Sequence, residues 1–455
     1  MSHTLRSHTL RRVAGLVAVS TLAVTAIGQP VSAAPTPPAN TDDGAITLAG
    51  TWLKGQLTGG LVVGEFGPDY GLTIDTGLAL DQAGDKSGVA TVNAALQPKI
   101  TQYIAGDAFG DAGSTYAGAT AKAATFARVA GANTTSYGGV NLITRLEERV
   151  SATAPIVGRL EDKSSFGDFA NVIGQGYAVR ALTEAKSKRT ADATAFLLAQ
   201  QCASGFFRES FSKSKTTTAQ GCVEGQADSA ASLDTTALTV VNLLDSGSHD
   251  KAVAAAVAKA GTWLATQQKA TGAFGADGVG ANTNSTGLAG WALGLLKNRE
   301  AATRAAVWVR KQQPIEKNKC RSALTKETGA IAYQPKVVRD ARNDGITDKT
   351  ADQWRRATAQ AMAVLQWAPA SADALTVSSA RKSGEAGDKV RFKVSGLAPG
   401  ERACVAIKGD FKRIAGKVNA GPVVRRLELP TGNRSRIVKV KTADTAAKTT
   451  IQVRN

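Results

Sequence analysis

One carboxylate stands where an acid could act on a bound molecule. The segment SLDTTA places Asp234 at the start of a stretch with helical spacing. A carboxylate at a helix N-terminus accepts backbone N–H groups, which favours its charged form. A charged Asp is a good helix cap and a poor acid. We therefore predict that Asp234 caps a helix or contacts a ligand, with catalytic acid as the alternative.

The sequence offers little for metal chemistry. After residue 33 the chain has one histidine, His249, in the polar segment SGSHDK. Zinc sites combine several His, Cys or carboxylate ligands at defined spacings. We predict that the protein binds no metal and uses no cofactor.

The four cysteines predict disulfides, because exported chains favour bridges over metal ligands. Cys202 and Cys222 bracket the polar loop of one repeat. A bridge between them would stabilise the fold by roughly 3 kcal/mol in the chain-entropy model. Cys320 and Cys404 either pair with each other, joining two domains, or stay separate thiols; the sequence leaves both open.

Two consecutive segments share one pattern of helix, Gln pair, Gly-aromatic turn, loop and second helix. The clearer copy is AGTWLATQQKATGAFG with NSTGLAGWALGLL, and the weaker is TAFLLAQQCASGFF with LDTTALTVVNLL. Such a unit cannot bury its apolar face alone, so the units must stack. We therefore expect a stacked helical architecture.

Six apolar segments are predicted to be inner helices, because a helix that is apolar nearly all round is buried. They begin near Asp75, Ser114, Asn171, Asp234, Asn284 and Gln353. More polar helices precede each of them and form an outer layer. Paired in this way, residues 41–367 form a closed double ring.

The clearer repeat resembles that of the terpenoid cyclase and protein prenyltransferase superfamily. The match is carried by Trp263, Leu264, Gln267, Gly272 and Phe274. The resemblance implies an all-α (α/α)6 toroid with a central cavity.

Three branches of that superfamily imply different sites. In triterpene cyclases the central Asp of a DxDD motif is the acid, and Asp234 is the carboxylate at the corresponding place. Prenyltransferases use an Asp, a Cys and a His for zinc, a set that this chain lacks. The secreted cobalamin-binding proteins are similar in having disulfides, a β domain after the toroid and inner helices that open like LDTTAL and IDTGLAL.

Parallel inner helices would bring their N-termini to one mouth. We predict that the residues near this mouth bind the ligand: Asp75, Asp234, Asn284, Gln175, Tyr70, Tyr177 and Trp291. For each aromatic residue, the alternative to ligand binding is packing in the core.

The first residues predict export. Arginines precede an apolar stretch that ends in the small-residue pattern Val31-Ser32-Ala33, so residues 1–33 are predicted to be a signal peptide and 34–40 a flexible leader. No second hydrophobic run suggests a transmembrane segment. We expect a secreted protein, released or loosely held at the cell wall.

The C-terminal region is strongly basic. Residues 374–455 carry 18 Lys and Arg against 6 Asp and Glu, a net charge of +12 within a total of +18. Their short alternating segments predict a small immunoglobulin-like β-sandwich, joined through a linker at 368–373. We predict that it holds to an anionic wall polymer or to headgroups, and that nucleic acid is not a dedicated partner.

These observations favour a secreted, non-catalytic protein that binds a small molecule, lipid or glycan in the toroid mouth. The first alternative is a cyclase-like or glycan-active enzyme with Asp234 as its acid. The second is a structural or adhesive envelope protein. A centre filled by side chains would favour the structural alternative, and a second carboxylate near an Asp234 of raised pKa would favour the enzyme.

Overall fold

The structure, a computed structural model, describes residues 40–275 and 279–455. The predicted signal peptide and residues 34–39 of the predicted leader lie outside the described residues. The helical region extends from Asp43 to Trp367. Its α-helices are α1 (Asp43–Lys54), α2 (Tyr70–Gln82), α3 (Lys86–Leu96), α4 (Thr101–Ile104), α5 (Ala117–Val129), α6 (Leu142–Glu147), α7 (Val172–Glu184), α8 (Thr190–Ala199), α9 (Leu233–Asp245), α10 (Lys251–Thr266), α11 (Thr283–Leu295), α12 (Arg299–Arg310), α13 (Pro335–Asp344) and α14 (Asp348–Ala361).

The inner helices form a closed ring. Each contacts the next in the order α2, α5, α7, α9, α11 and α14, and α14 returns to contact α2. The helices α1, α3, α6, α8, α10 and α12 pack outside this ring. Within the described part of the chain the predicted double ring of six helix pairs is therefore confirmed, and the helical region is an α/α toroid.

Neighbouring inner helices are parallel and approach closely. Gly287 of α11 faces Ala361, and further along the same helix Gly294 faces Trp367, which lies in the 3-10 turn that continues α14. On the opposite side of the ring, a Cβ atom placed on Gly174 of α7 would lie 3.0 Å from the Cα atom of Gly118 of α5. Small residues thus let the inner helices pack backbone to backbone.

The Gln pairs of the repeat hold the turns between helices. The amide of Gln268 donates to the carbonyl oxygen of Gly272, at 3.1 Å, and to that of Ala301 on the next outer helix, at 2.8 Å. Gly272 has a φ of 88°, which explains why the repeat has glycine there. Gln201 and Gln313 make equivalent pairs of bonds.

The bonds of Gln313 also close the ring. Its amide donates to the carbonyl oxygen of Ala45 at 3.0 Å, which ties the end of the last outer helix to the first. The corresponding turn contains Gly329, with a φ of 102°. The sequence pattern revealed two copies of this motif, and the third, at Gln313, was missed because its turn has Ile331 instead of an aromatic residue.

The predicted starts of several inner helices need correction. Helix α2 begins at Tyr70 and is capped by Asp69, whose carboxylate accepts from the N–H of Leu72 at 2.8 Å. Asp75 therefore lies inside the helix. Helix α14 begins at Asp348, ahead of the predicted Gln353, because Thr347 and Thr350 form a capping box.

The C-terminal region consists of β-strands. They are β4 (Thr376–Ser379), β5 (Ser383–Glu385), β6 (Lys389–Ser395), β7 (Arg402–Ile407), β8 (Asp410–Ala415), β9 (Val423–Glu428), β10 (Arg434–Lys441) and β11 (Ala446–Arg454). The earlier strands β1 (Leu57–Thr58), β2 (Leu61–Gly64) and β3 (Gly67–Pro68) form a small sheet between α1 and α2.

Two sheets of this region share one apolar core. Sheet A has the order β4-β6-β9, and sheet B has the order β5-β11-β10-β7-β8. Alternate residues such as Val390 and Phe392 of sheet A and Val405 and Val438 of sheet B point into the core. Among the described residues this confirms a C-terminal β region, and its immunoglobulin-like class stays a prediction.

A disulfide and buried ion pairs link the β region to the helical region. Cys320 and Cys404 form a disulfide with their Cα atoms 5.8 Å apart, so the pairing that the sequence left open is now assigned. Beside it, Glu316, only 1% exposed, pairs with Arg342 at 2.9 Å and with Arg413 of β8 at 2.6 Å. The predicted Cys202–Cys222 disulfide is also confirmed.

The connection between the two regions is held by the first described residues. Ala370 donates its N–H to the carbonyl oxygen of Asn40, and Asp42 donates to that of Ala368, each at 2.8 Å. Arg310 pairs with the carboxylate of Asp42. Residues of the predicted linker are therefore bonded to the start of the helical region.

Candidate functional site in the toroid cavity

A cavity of about 450 Å³ lies inside the ring of inner helices. Every inner helix contributes to its wall, as do the connections before α5 and α7. The apolar part of the wall comprises Leu78, Ala79, Ala119, Ile173, Leu238, Val241, Leu288 and Ala363. The volume is that of a small-molecule pocket, so the centre of the toroid is not filled by side chains.

A polar cluster interrupts this apolar wall. Lys122 of α5 pairs with Asp75 of α2, with 2.6 Å between Nζ and Oδ1. Lys122 also donates to the carbonyl oxygen of Gly71 at 3.1 Å. Burial alone would lower the pKa of Lys122, but the Asp75 carboxylate outweighs it and the pKa lies above its ordinary value. Lys122 is thus a fixed cation in the wall.

Two tyrosines stand beside this ion pair. Tyr103 and Tyr177 both line the cavity. Burial raises the pKa of Tyr177 to about 12 and also raises the pKa of Tyr103. Their hydroxyl groups therefore stay protonated near neutral pH and can serve as hydrogen-bond donors to a ligand.

Arg180 forms a second polar group on the wall. Its guanidinium pairs with Asp245 at 2.8 Å and with Glu184 at 3.2 Å. Burial raises the pKa values of both carboxyl groups, while Arg180 opposes that rise. The charges of this group are largely matched within the wall.

Asp234 lies in the first turn of inner helix α9. It is half-buried near the start of α9, one turn before Leu238, so the two side chains share a helix face. Leu238 lines the cavity, and Asp234 itself does not. Its Oδ1 atom is shielded from solvent and has no hydrogen-bond partner among the described residues.

Burial raises the pKa of Asp234 above its ordinary value. A hydrogen bond with Ser285 opposes the rise, and the negative charge of Glu209 adds to it. The predicted capping role was wrong, because the cap of α9 is Ser232, whose hydroxyl accepts from the N–H of Thr235. Without the cap bonds, the charged form of Asp234 is disfavoured and the acid form favoured.

Asp162 is a second cavity-lining carboxyl group whose pKa burial raises. Its two oxygens accept backbone N–H groups, from Ala117 at 2.6 Å and from Phe169 at 3.1 Å. Through these bonds, Asp162 holds the loop before α7 against the start of α5. Both oxygens of Asp162 are thus engaged, whereas Oδ1 of Asp234 has no hydrogen-bond partner among the described residues.

The structure divides the predicted ligand-binding residues into two groups. Asp75, Tyr177 and Trp291 line the cavity. Asn284 lies just outside it and donates to Gln360, a lining residue, at 2.6 Å. These residues sit on inner helices, and their role in ligand binding stays a prediction.

Gln175 and Tyr70 do not line the cavity. Gln175 is fully buried, and its side-chain amide is hydrogen-bonded to the backbone of Gly158, Leu160 and Ala193. It therefore stabilises a turn, as the Gln residues of the repeat do. Tyr70 is the first residue of α2 and its hydroxyl bonds to Gln102. Neither belongs to the candidate site.

Sequence reasoning missed Lys122, Arg180 and Tyr103. Lys122 and Arg180 are cations in the middle of mostly apolar inner-helix segments, ATAKAATF and YAVRALTE. A charge in a helix that is buried all round must face a partner or a cavity. That signal was present in the sequence. Tyr103 follows an outer helix and gave no such signal.

Membrane and metal features can be stated for the described residues. No helix within 40–275 and 279–455 is long and apolar enough to cross a bilayer. Across the same ranges, no group of three or more His, Cys, Asp or Glu side chains is arranged to hold a metal ion.

No protein-family model and no curated protein matches the chain. Among solved structures, it is similar to a protein from Actinoplanes, at a TM-score of 0.50 and 15% identity over 72% of this chain and 99% of that one. It is also similar to the type II terpene cyclase MstE from Scytonema (TM-score 0.47, 15% identity, 71% and 96% covered). A third is the unsaturated glucuronyl hydrolase from Bacillus sp. GL1 (TM-score 0.47, 11% identity, 71% and 94% covered). At these identities a likeness concerns the fold alone.

Proposed function

We propose that the protein is an enzyme that binds an apolar ligand in the toroid cavity and donates a proton to it from Asp234. The observation that carries the proposal is the half-buried Asp234, one helical turn from the cavity-lining Leu238, with one unpartnered oxygen among the described residues and a raised pKa. A general acid needs a proton at working pH, and burial is a common means of retaining it.

Two further observations support an enzyme over a non-catalytic binding protein. A second carboxylate, that of Glu209, acts on Asp234 and raises its pKa. Asp234 is also the one carboxylate that remains where related cyclases have the DxDD motif, whose other carboxylates are missing from this segment. The open centre of the ring gives no support to a purely structural role.

The wall chemistry favours a lipid over a glycan. Leucine, isoleucine, valine and alanine side chains from every inner helix contribute to the wall, together with Phe169 and Trp291. A long apolar chain would bury against them, and its polar end would meet the Tyr103 and Tyr177 hydroxyls and the Lys122 ammonium. Protonation of an alkene or an epoxide in such a ligand is the reaction that fits a single acid.

The β region gives the second part of the proposal, the binding of an anionic polymer. On the outer face of sheet A, Arg391 lies directly opposite Arg426, between Lys389 and Lys393 on β6. Like charges directly opposite one another destabilise a sheet. An extended polymer with a phosphate in each repeat would neutralise them, because alternate residues on a strand are about 7 Å apart. The immunoglobulin-like class and secretion belong to this proposal too.

A turnover assay tests the enzyme proposal. The full chain is incubated with linear polyprenyl compounds from farnesol to squalene, and products are separated by gas chromatography and mass spectrometry. We expect a cyclised isomer from the wild type and at least a hundredfold less from Asp234→Asn, the usual contribution of a general acid.

Asp192→Asn is the matched control, because Asp192 lies on outer helix α8 and, among the described residues, pairs with Arg189. It should cyclise the ligand like the wild type. Calorimetric titration of each variant separates binding from turnover. Tight binding without any product from the wild type would support the non-catalytic interpretation instead, and equal turnover by Asp234→Asn would remove Asp234 from the mechanism.

A further inference from the structure

A cleft of about 500 Å³ lies where the β region meets the helical region. Its wall combines outer helix α12, the turn that follows α10, the first residue of α13 and, from the β region, Arg402 of β7 and Val418. The cleft and the toroid cavity share no lining residue. Its volume is that of a small-molecule pocket, so it is a second candidate site.

The charged side chains of this wall are all cations. They are Arg304, Lys311 and Arg402, and no described Asp or Glu belongs to the wall. The guanidinium of Arg304 is already engaged, since it donates to Gln268 at 3.1 Å and pairs with Glu300. Lys311 and Arg402 form no ion pair within the described part of the chain, so the cleft holds two unneutralised positive charges.

The carboxylate of Glu316 does not neutralise Arg402. Its charge acts on Arg402, but its two oxygens are already paired with Arg342 and Arg413. Three guanidinium groups thus share a single carboxylate at this junction. The excess positive charge is on the side of the cleft, where Arg402 is a lining residue.

The guanidinium of Arg402 is anchored at one nitrogen and available at the other two. Its Nε atom donates to the carbonyl oxygen of Lys311 at 2.5 Å. Lys311 directly follows the last residue of α12, so this bond satisfies a carbonyl group at a helix C-terminus. The Nη atoms make no hydrogen bond to any residue that the structure describes. Anchoring through Nε leaves the Nη pair free for a ligand.

The two cations also act on each other. Burial and the charge of Arg402 lower the pKa of Lys311. Burial and the charge of Arg342 lower the pKa of Arg402 to about 10, although Glu316 opposes this change. Arg402 therefore stays charged at neutral pH beside a second cation. An anion bound between them would relieve the repulsion.

We propose that this cleft binds a phosphate group carried on a small organic molecule or chain end. A phosphate monoester carries a charge of about −2 at neutral pH, which matches the two unpaired cations. Its three terminal oxygens can accept from the Lys311 ammonium and from both Nη atoms of Arg402, whereas a carboxylate has only two oxygens. Trp308 and Pro335 line the same cleft and give apolar surface for the organic part.

The proposed phosphate site is separate from the polymer-binding face of sheet A. Lys311 belongs to the helical region and Arg402 to the β region, so a bound phosphate bridges the two. A ligand that binds only the folded state stabilises it. Phosphate binding should therefore also raise the melting temperature.

Calorimetric titration of the full chain with glycerol 3-phosphate tests the site, with acetate as the probe that lacks phosphate. We expect the wild type to bind glycerol 3-phosphate and to melt at a higher temperature in its presence. Lys311→Gln should weaken binding at least tenfold, because it removes a charge-assisted hydrogen bond. Arg402→Lys keeps the charge but loses the Nη pair, and should weaken binding about threefold or more.

Lys251→Gln is the matched control for Lys311→Gln. Lys251 is exposed at the start of α10, about 20 Å along that helix from the turn that borders the cleft. The control should bind like the wild type, and without ligand the melting temperatures of all three proteins should agree. No binding by the wild type, equal weakening in the two Lys variants, or equally tight binding of acetate would overturn the proposal.

The variant Arg391→Gln with Arg426→Gln separates this cleft from sheet A, because it should bind glycerol 3-phosphate like the wild type. Loss of that binding would contradict a site in the cleft. In this variant, displacement of glycerol 3-phosphate by poly(glycerol phosphate) would identify a polymer end as the source of the phosphate. Retention of glycerol 3-phosphate would identify a free small molecule, and both results agree with a phosphate site.

Discussion

At the scale of the residue, the environment of Asp234 decides its chemistry more than its position in the sequence does. The pattern SLDTTA predicts a helix start, and the structure has one there. The capping oxygen, however, comes from Ser232, two residues earlier. Burial by neighbouring helices then raises the pKa of Asp234, an effect that depends on side chains distant in sequence. A local pattern cannot carry this information.

The raised pKa of Asp234 predicts a pH-dependent effect of Asp234→Asn on stability. Between the ordinary Asp pKa and the raised folded value, the native state binds more protons than the unfolded state, so wild-type stability falls as pH rises. The uncharged Asn avoids this loss. At pH 7 the variant should be as stable as the wild type or more stable, by roughly 1 kcal/mol or less.

Urea unfolding at pH 7 and at pH 4 measures this difference. The advantage of Asp234→Asn should shrink at pH 4, which lies close to the ordinary Asp pKa, because most of the loss in wild-type stability occurs above that pKa. Asp192→Asn, which removes an exposed charge paired with Arg189, should show no such gain. A variant that is clearly less stable than the wild type at pH 7 would mean that the carboxylate of Asp234 is stabilising.

At the scale of the element, the apolar inner helices were predictable and their ends were not. Segments rich in Ala, Leu and Gly with few charges are buried on both sides, which gave the ring its inner members. Helix α2 starts five residues before the predicted Asp75, because Asp69 supplies the capping carboxylate. The sequence analysis placed the start at Asp75 and did not consider Asp69, whose carboxylate accepts from the N–H of Leu72.

The alternating strands of the β region were also predictable, and their pairing was not. Register places Arg391 opposite Arg426 on sheet A and Lys439 opposite Lys448 on sheet B. Sheet B turns part of its outer face to the helical region, since Cys404 of β7 is bonded to Cys320. Sheet A is therefore the more open of the two basic faces.

These two cationic pairs give a matched test of polymer binding. Arg391→Gln with Arg426→Gln should weaken binding of the full chain to poly(glycerol phosphate) about tenfold, and the salt dependence should become shallower. Lys439→Gln with Lys448→Gln removes the same charge and should weaken binding less than about threefold. Titration at several salt concentrations measures both. Equal losses would show that net charge alone is responsible, and unchanged binding in both would exclude these faces.

At the scale of the whole molecule, the closure of the ring could be predicted by counting helix pairs. The polar groups in the cavity wall could not. Six helix pairs predicted a toroid, and Gln313 shows how its ends are joined. The Lys122–Asp75 pair and the attachment of the β region depend on which faces meet in space. Sequence spacing within one element does not determine such contacts.

Isotope transfer from solvent tests most directly whether Asp234 protonates a ligand in the cavity. The acid proton of Asp234 exchanges with solvent, and protonation of an alkene forms a C–H bond, so turnover of a polyene without an epoxide in D2O should place one deuterium on carbon in each cyclised product, detected by mass spectrometry and located by NMR. Asp234→Asn should yield no labelled product. A cyclised product that carries no deuterium, or a labelled product formed equally by Asp234→Asn, would contradict proton donation by Asp234.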